Sequence, residues 1–192
     1  MIRPLCGVPR ERNPIMPAID EISEALVREN IARAVQDVFK TMLDHDLSFN
    51  GPELPEAGAG APVFPKMRRF SLPQVVGSVG FIGEANGLVY LHLDETFANL
   101  CTGRILGLSD VELLAVDEAS VNDAIGELTN MVVGGFKNGL CEEGYPCKLT
   151  IPSVLRGRDV HIESTSAVRR HAYNFNWLDH RLTADVLVKV GD

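Results

Sequence analysis

The sequence predicts an α+β fold: three helices packed on a mainly antiparallel sheet. Two long stretches repeat apolar residues at helical spacing, over about 20–46 and 117–143. A pair of alternating runs meets at an Asn-Gly step, and several strand-like runs separated by turn residues close the chain. At 192 residues, with 45% apolar and 23% charged, the chain has the length of one domain and the composition of a folded one.

The elements follow in order. Prolines 4, 9, 14 and 17 mark residues 1–17 as a flexible tail. From Asp20 to about Asp46, Ile22, Leu26, Ile31, Val35, Val38, Phe39 and Met42 fall on one helical face. Prolines 52, 55, 62, 65 and 73, interleaved with glycine, indicate an irregular insert at about 48–73 inside a single domain spanning 18–192. Val75–Phe81 and Leu88–Leu93 then alternate, and Asn86-Gly87 between them reads as a hairpin turn because both residues tolerate positive φ. Asp94 is placed to cap a second helix to about Leu106, with Phe97, Leu100, Cys101 and Ile105 inward. The third and longest helix is expected from Asp117 to Glu143, with Ser120 and Asp123 forming a capping box. Lys148–Leu155, Val160–Ser164, Val168–Trp177 and Arg181–Val190 are the remaining strand candidates.

Composition narrows the function. A net charge of −8 disfavours binding to nucleic acid or anionic membrane, which needs clustered Lys and Arg. No apolar run is long enough to span a bilayer, and the N-terminus lacks a secretory h-region. With no Cys-x-x-Cys among its four cysteines, the chain is expected to keep reduced thiols in the cytoplasm. No histidine pair has metal-ligand spacing. Gly77-x-x-Gly80-x-x-Gly83 precedes a hairpin and not a helix, so it is read as close strand packing instead of a dinucleotide loop. Walker and nucleophile-elbow motifs are absent.

The third helix carries the distinctive pattern. Val121, Ala124, Ile125, Leu128, Val132, Phe136 and Leu140 form an apolar stripe. Asp123, Glu127, Asn130, Gly134 and Lys137 fall within an arc of about 80° on the other side. Such a ridge is also what any solvated helix face looks like. Gly126, Gly134 and Gly135 nevertheless sit inside the helix, each costing about 1 kcal/mol relative to alanine. Packing on the chain's own sheet would explain Gly135. Gly126 and Gly134, nearer the polar side, suit the close approach of another backbone.

Asp123-x-x-x-Glu127-x-x-Asn130 followed by Gly134-Gly-Phe-Lys137 resembles the signature helix of the CheC/CheX chemotaxis phosphatases. Ala34–Leu43, Val79–Val89 and Ile151–Gly157 resemble other segments of CheX, so the likeness runs over about residues 20–190, outside the insert. The resemblance implies dephosphorylation of the phospho-aspartate of a CheY-like response regulator. It assigns Glu127 to the partner's lysine and Asn130 to the attacking water, with Asp123, Gly126, Gly134 and Lys137 in the docking surface. It also implies Mg²⁺ on the regulator and no cofactor bound by this chain. The single copy of the motif resembles the CheX branch, which implies a homodimer joined through sheet edges. A non-catalytic adaptor that binds a regulator through the same face is the alternative. A small-molecule hydrolase using Asp123 and Glu127 as an acid/base pair would need a cleft beside them.

Overall fold

The computed structural model describes residues 22–52, 73–158, 160, 162–163 and 168–190. The expected tail and most of the insert lie outside these residues. In chain order the elements are α1 (Glu24–Leu43), β1 (Ser48–Pro52), β2 (Gln74–Gly83), β3 (Ala85–Asp94), α2 (Glu95–Leu106), α3 (Asp110–Leu113), α4 (Glu118–Glu142), β4 (Cys147–Leu149), β5 (Ser153–Gly157), β6 (Arg169–Trp177) and β7 (His180–Val190). The strands form one antiparallel sheet in the order β1-β6-β7-β3-β2-β4, with β5 also paired to β2. The α+β class is as expected. The additional helix is the short α3, whose Ser109–Glu112 capping box closes a single turn.

Alternation along the strands sends Val75, Val79, Phe81, Val89, Leu91 and Leu93 into the core beneath α1, α2 and α4. Phe81 meets Phe136 of α4 edge-on at 5.7 Å. Glycines let α4 sit close to its neighbours. A Cβ on Gly77 would collide with the Thr129 hydroxyl, and one on Gly139 with the Asn30 carboxamide. Gly135 packs against Ala34 of α1, so its neighbour is a helix and not the sheet. Gly80 lies against Thr150 and Gly83 against Pro146, so all three glycines of the 77–83 pattern serve close packing.

The opposite face of the sheet holds a buried polar group. Arg170 clasps Asp185 through Nε and Nη2 at 2.8 and 2.7 Å. His92 is fully buried, its Nδ1 3.3 Å from Gln74 Oε1 and its Nε2 3.9 Å from Asp185 Oδ2.

Several local expectations are corrected. The β2–β3 turn falls at Gly83–Ala85, not at Asn86-Gly87, which lie within β3 and pair with Lys189 and Val188. Neither has positive φ. Asn86 closes the turn with its side chain, accepting from Gly83 N–H at 3.1 Å and donating to Gly83 O at 3.2 Å. The first part of the expected insert is strand β1, paired with β6. Lys148–Leu155 is broken into β4 and β5. Leu149 pairs with Phe81 and Ser153 with Ser78, so residues 150–152 face only Val79 and Gly80. This is a one-residue bulge, a place where Pro152, lacking an N–H, is tolerated. Within Val160–Ser164 the described residues are not strand.

Candidate functional site

The site is built on α4. Asp117, not Ser120, is its N-cap, accepting from Ser120 N–H at 2.7 Å. That bond holds the Asp117 carboxyl below the ordinary carboxylate range. The earlier cap leaves Asp123 in the second turn, where its carboxylate has no capping duty and is exposed. The apolar stripe expected from periodicity is buried throughout.

Glu127 is exposed, and Asn130, Gly134 and Lys137 are half-buried further along the helix. From Asp123 to Asn130 the ridge runs about 10 Å at 1.5 Å per residue. An open depression of about 370 Å³ lies beside its first half, with Asn122, Asp123, Gly126 and Glu127 on one wall. The other wall is the bulged edge strand: Pro152, Ser153 and Val154. Gly126 belongs to the inner wall. It is buried, and a Cβ there would lie 3.8 Å from Val154 Cγ2, an ordinary contact. A Cβ built on Gly134 would meet nothing within 4 Å. The structure therefore brings together Asp123, Gly126 and Glu127, while Asn130, Gly134 and Lys137 continue the ridge outside the depression.

Arg156 of β5 fastens the two walls. Its Nε donates to Asn122 Oδ1 at 2.7 Å, and its Nη2 lies 3.4 Å from Glu118 O. Its Nη1 reaches Glu95 of α2 at 3.5 Å. Asn122 was not singled out from sequence, and residues 152–154 and Arg156 entered only within the Ile151–Gly157 resemblance, with no part in the site. Their part depends on strand register, which no local pattern carries.

This arrangement can present carboxylates and an amide to another molecule. It is not an enclosed reaction vessel: the depression is open and both carboxylates are exposed. That removes the cleft on which the small-molecule hydrolase reading depended. Cys101 and Cys147 are free and buried, and burial pushes both thiols above the ordinary range, the wrong direction for a nucleophile. Among the described residues, no group of three or more His, Cys, Asp or Glu could hold a metal ion. Among them, too, no helix is long and apolar enough to cross a membrane.

Fold and site together define an α+β protein with a polar ridge exposed along its longest helix. Residues 75–176 match the family model described as chemotaxis phosphatase CheX, and the chain belongs to the CheX family. No curated protein matches it. Among solved structures it is similar to a CheC-like superfamily protein from Shewanella sp. PV-4, with a TM-score of 0.69, 24% identity, and 87% of this chain and 99% of that one covered. It is also similar to chemotaxis protein CheX from Vibrio vulnificus, with a TM-score of 0.69, 23% identity, and 85% and 99% covered. A third similar chain comes from the CheX–CheY–BeF3–Mg²⁺ complex of Borrelia burgdorferi, with a TM-score of 0.60, 17% identity, and 84% and 96% covered.

Proposed function

We propose that this protein dephosphorylates the phospho-aspartate of a CheY-like response regulator. Glu127 pairs with a lysine of the regulator, and Asn130 enters the regulator's site to orient the attacking water. The observation that carries this reading is the open ridge itself. Glu127 stands exposed one helical turn before Asn130, with no enclosed pocket of its own beside it. An open ridge of this kind suits a phosphoryl group carried by a partner, and family membership supports the partner's class. The CheX of the Borrelia burgdorferi complex is bound to CheY in the presence of BeF3 and Mg²⁺.

The chemistry suits these groups. Phosphoryl transfer is catalysed by positioning and charge stabilisation, and a metal on the partner covers the phosphoryl oxygens. This chain need bind no cofactor; the Mg²⁺ belongs to the regulator. A neutral carboxamide can accept a hydrogen bond from water without adding negative charge beside phosphate. Asp123 and Lys137 extend the contact at either end of the ridge, Gly126 lines the depression beside it, and Gly134 keeps the ridge low enough for a backbone to approach. We assign the protein to the cytoplasm, as a homodimer.

The test is the decay of a radiolabelled phospho-regulator from the same organism with catalytic amounts of wild-type protein and of Asn130→Ala. Accelerated decay that the substitution reduces by about 10²–10³, as for loss of one transition-state hydrogen bond, supports the reading. Binding without accelerated decay, unchanged by Asn130→Ala, makes the protein an adaptor that uses the same face.

A further inference from the structure

The edge strand beside the ridge carries a side chain that neither packing nor the ridge accounts for. Ile151 is the bulged residue between β4 and β5, and it is 85% exposed. Its mount is rigid. Thr150 N–H donates to Gly80 O at 2.9 Å, and the Thr150 hydroxyl accepts from Gly80 N–H at 2.9 Å. Pro152 has a locked φ and confines Ile151 to extended conformations. The next residues, Pro152–Val154, form the wall of the depression opposite Asp123 and Glu127.

Blunting a sheet edge against stray pairing requires only the bulge and the proline, and a charged side chain would do it better than isoleucine. A large apolar group held rigidly in water at the rim of a carboxylate-lined depression has the form of a binding anchor. Charge identifies the occupant. A second copy of this chain, with a net charge of −8, would set Asp123 and Glu127 against like charges if two depressions met. The regulator of the function proposed above, which would offer a lysine to Glu127, complements them.

We propose that Ile151 is the apolar anchor of the regulator-docking surface, seated on the response regulator while Glu127 takes its lysine, and that it helps determine which regulator is accepted. This rests on the function proposed above. Ile151 is exposed and directly precedes the Pro152–Val154 wall across the depression from Asp123 and Glu127, so a partner that covers Glu127 and that wall lies beside it.

The test compares wild type, Ile151→Ser, Ile151→Met and a control, Leu178→Ser. Leu178 is 79% exposed in the β6–β7 turn, away from the ridge. Each is titrated with BeF3-loaded regulator and assayed for hydrolysis of the phosphorylated form. The expected result is a Kd and KM raised about 10- to 100-fold in Ile151→Ser, with kcat and melting temperature unchanged. Ile151→Met restores most of the affinity, and Leu178→Ser matches wild type. Equal affinity of wild type and Ile151→Ser overturns the proposal while leaving the phosphatase reading intact. Binding that weakens in Ile151→Ser without any hydrolysis by wild type supports the anchor and defeats the phosphatase reading. A wild type that binds no regulator overturns both. Dissociation of a dimer by Ile151→Ser, with regulator affinity unchanged, assigns the residue to a second copy and overturns the proposal.

Discussion

Arg156 Nε donates to Asn122 Oδ1 at 2.7 Å, joining the edge strand β5 to the first turns of α4 directly beside Asp123. The same guanidinium reaches the Glu118 carbonyl and the Glu95 carboxylate, so one side chain fixes how α4 leaves its N-terminus and how wide the depression stands. The Glu95 arm is partly exposed and adds little once screened. The bond to Asn122 is charge-assisted and part-buried. Arg156→Ala is expected to destabilise the fold by about 1–2 kcal/mol, read from the urea midpoint. Arg156→Lys should recover only part, because one ammonium cannot serve three divergent acceptors. A variant as stable as wild type would show that the network is ornamental.

Glu127 and Asn130 should fail in different ways. Removing a buried charge partner chiefly weakens docking, by about 2–5 kcal/mol. Glu127→Ala is therefore expected to raise KM more than it lowers kcat. Asn130→Ala removes a group that acts on the attacking water, and its loss should appear in kcat at nearly unchanged KM. Steady-state hydrolysis of phospho-regulator by both variants separates the roles; the reverse pattern would exchange the two assignments.

Gly77 and Thr129 are predicted to be coupled. A Cβ at Gly77 would strike the Thr129 hydroxyl and lie 3.0 Å from Thr129 Cβ and 3.3 Å from Ile125 Cγ2. Thr129 cannot turn away freely, since its hydroxyl donates to Ile125 O at 2.6 Å inside α4. Gly77→Ala should cost about 1–3 kcal/mol by overpacking. In the Gly77→Ala/Thr129→Ala double variant the loss should fall short of the sum of the singles. Chemical denaturation of the four proteins closes the cycle, and strict additivity would mean the strand shifts to avoid the helix.

These contacts show what a sequence can and cannot carry. The buried stripe of α4 was legible because helical period alone selects Val121 through Leu140, and the Asp94 cap because its carboxylate precedes an apolar repeat. The hairpin turn was misplaced although Asn86-Gly87 is a strong turn signal. Gly87 is small because a Cβ would meet Leu187 O and the Phe81 ring across two neighbouring strands, a tertiary cause with a local-looking symptom. Strand β1 was hidden by Gly51 and Pro52, and its partner β6 lies far along the chain. The ridge was readable from spacing. The wall opposite it was not, because a one-residue register change between β4 and β5 places Pro152–Val154 there.

Buried His92 makes stability depend on pH. Burial, reinforced by the Arg170 and Arg181 charges, lowers its pKa to about 3, below an unfolded value near 6.5. Burial lowers His171 as well. Above pH 6.5 both states are neutral and the shift is silent. As pH falls below 6.5 the unfolded chain binds protons that the folded one refuses, so stability declines. From pH 6.5 to 5, His92 alone should account for about 1–2 kcal/mol of lost stability. His92→Gln should flatten the slope by that amount whatever it does to stability at pH 7. Urea unfolding at pH 7, 6 and 5 measures both, and parallel slopes would mean that His92 gains a proton in the folded state.

Gly134 separates stability from function. Nothing lies within 4 Å of a Cβ built there, so alanine fits and the helix should gain about 1 kcal/mol from lower backbone entropy in the unfolded chain. Gly139 in the same helix is the contrast: its Cβ would press on Asn30, and Gly139→Ala should destabilise. A residue that weakens its own helix with no neighbour to accommodate is explained if a partner's backbone must come down on that face. Gly134→Ala is therefore expected to melt several degrees higher and yet bind phospho-regulator more weakly, with a raised KM. If it proves both more stable and fully active, the docking footprint ends before Gly134 and is confined to the Asp123–Asn130 half of the ridge.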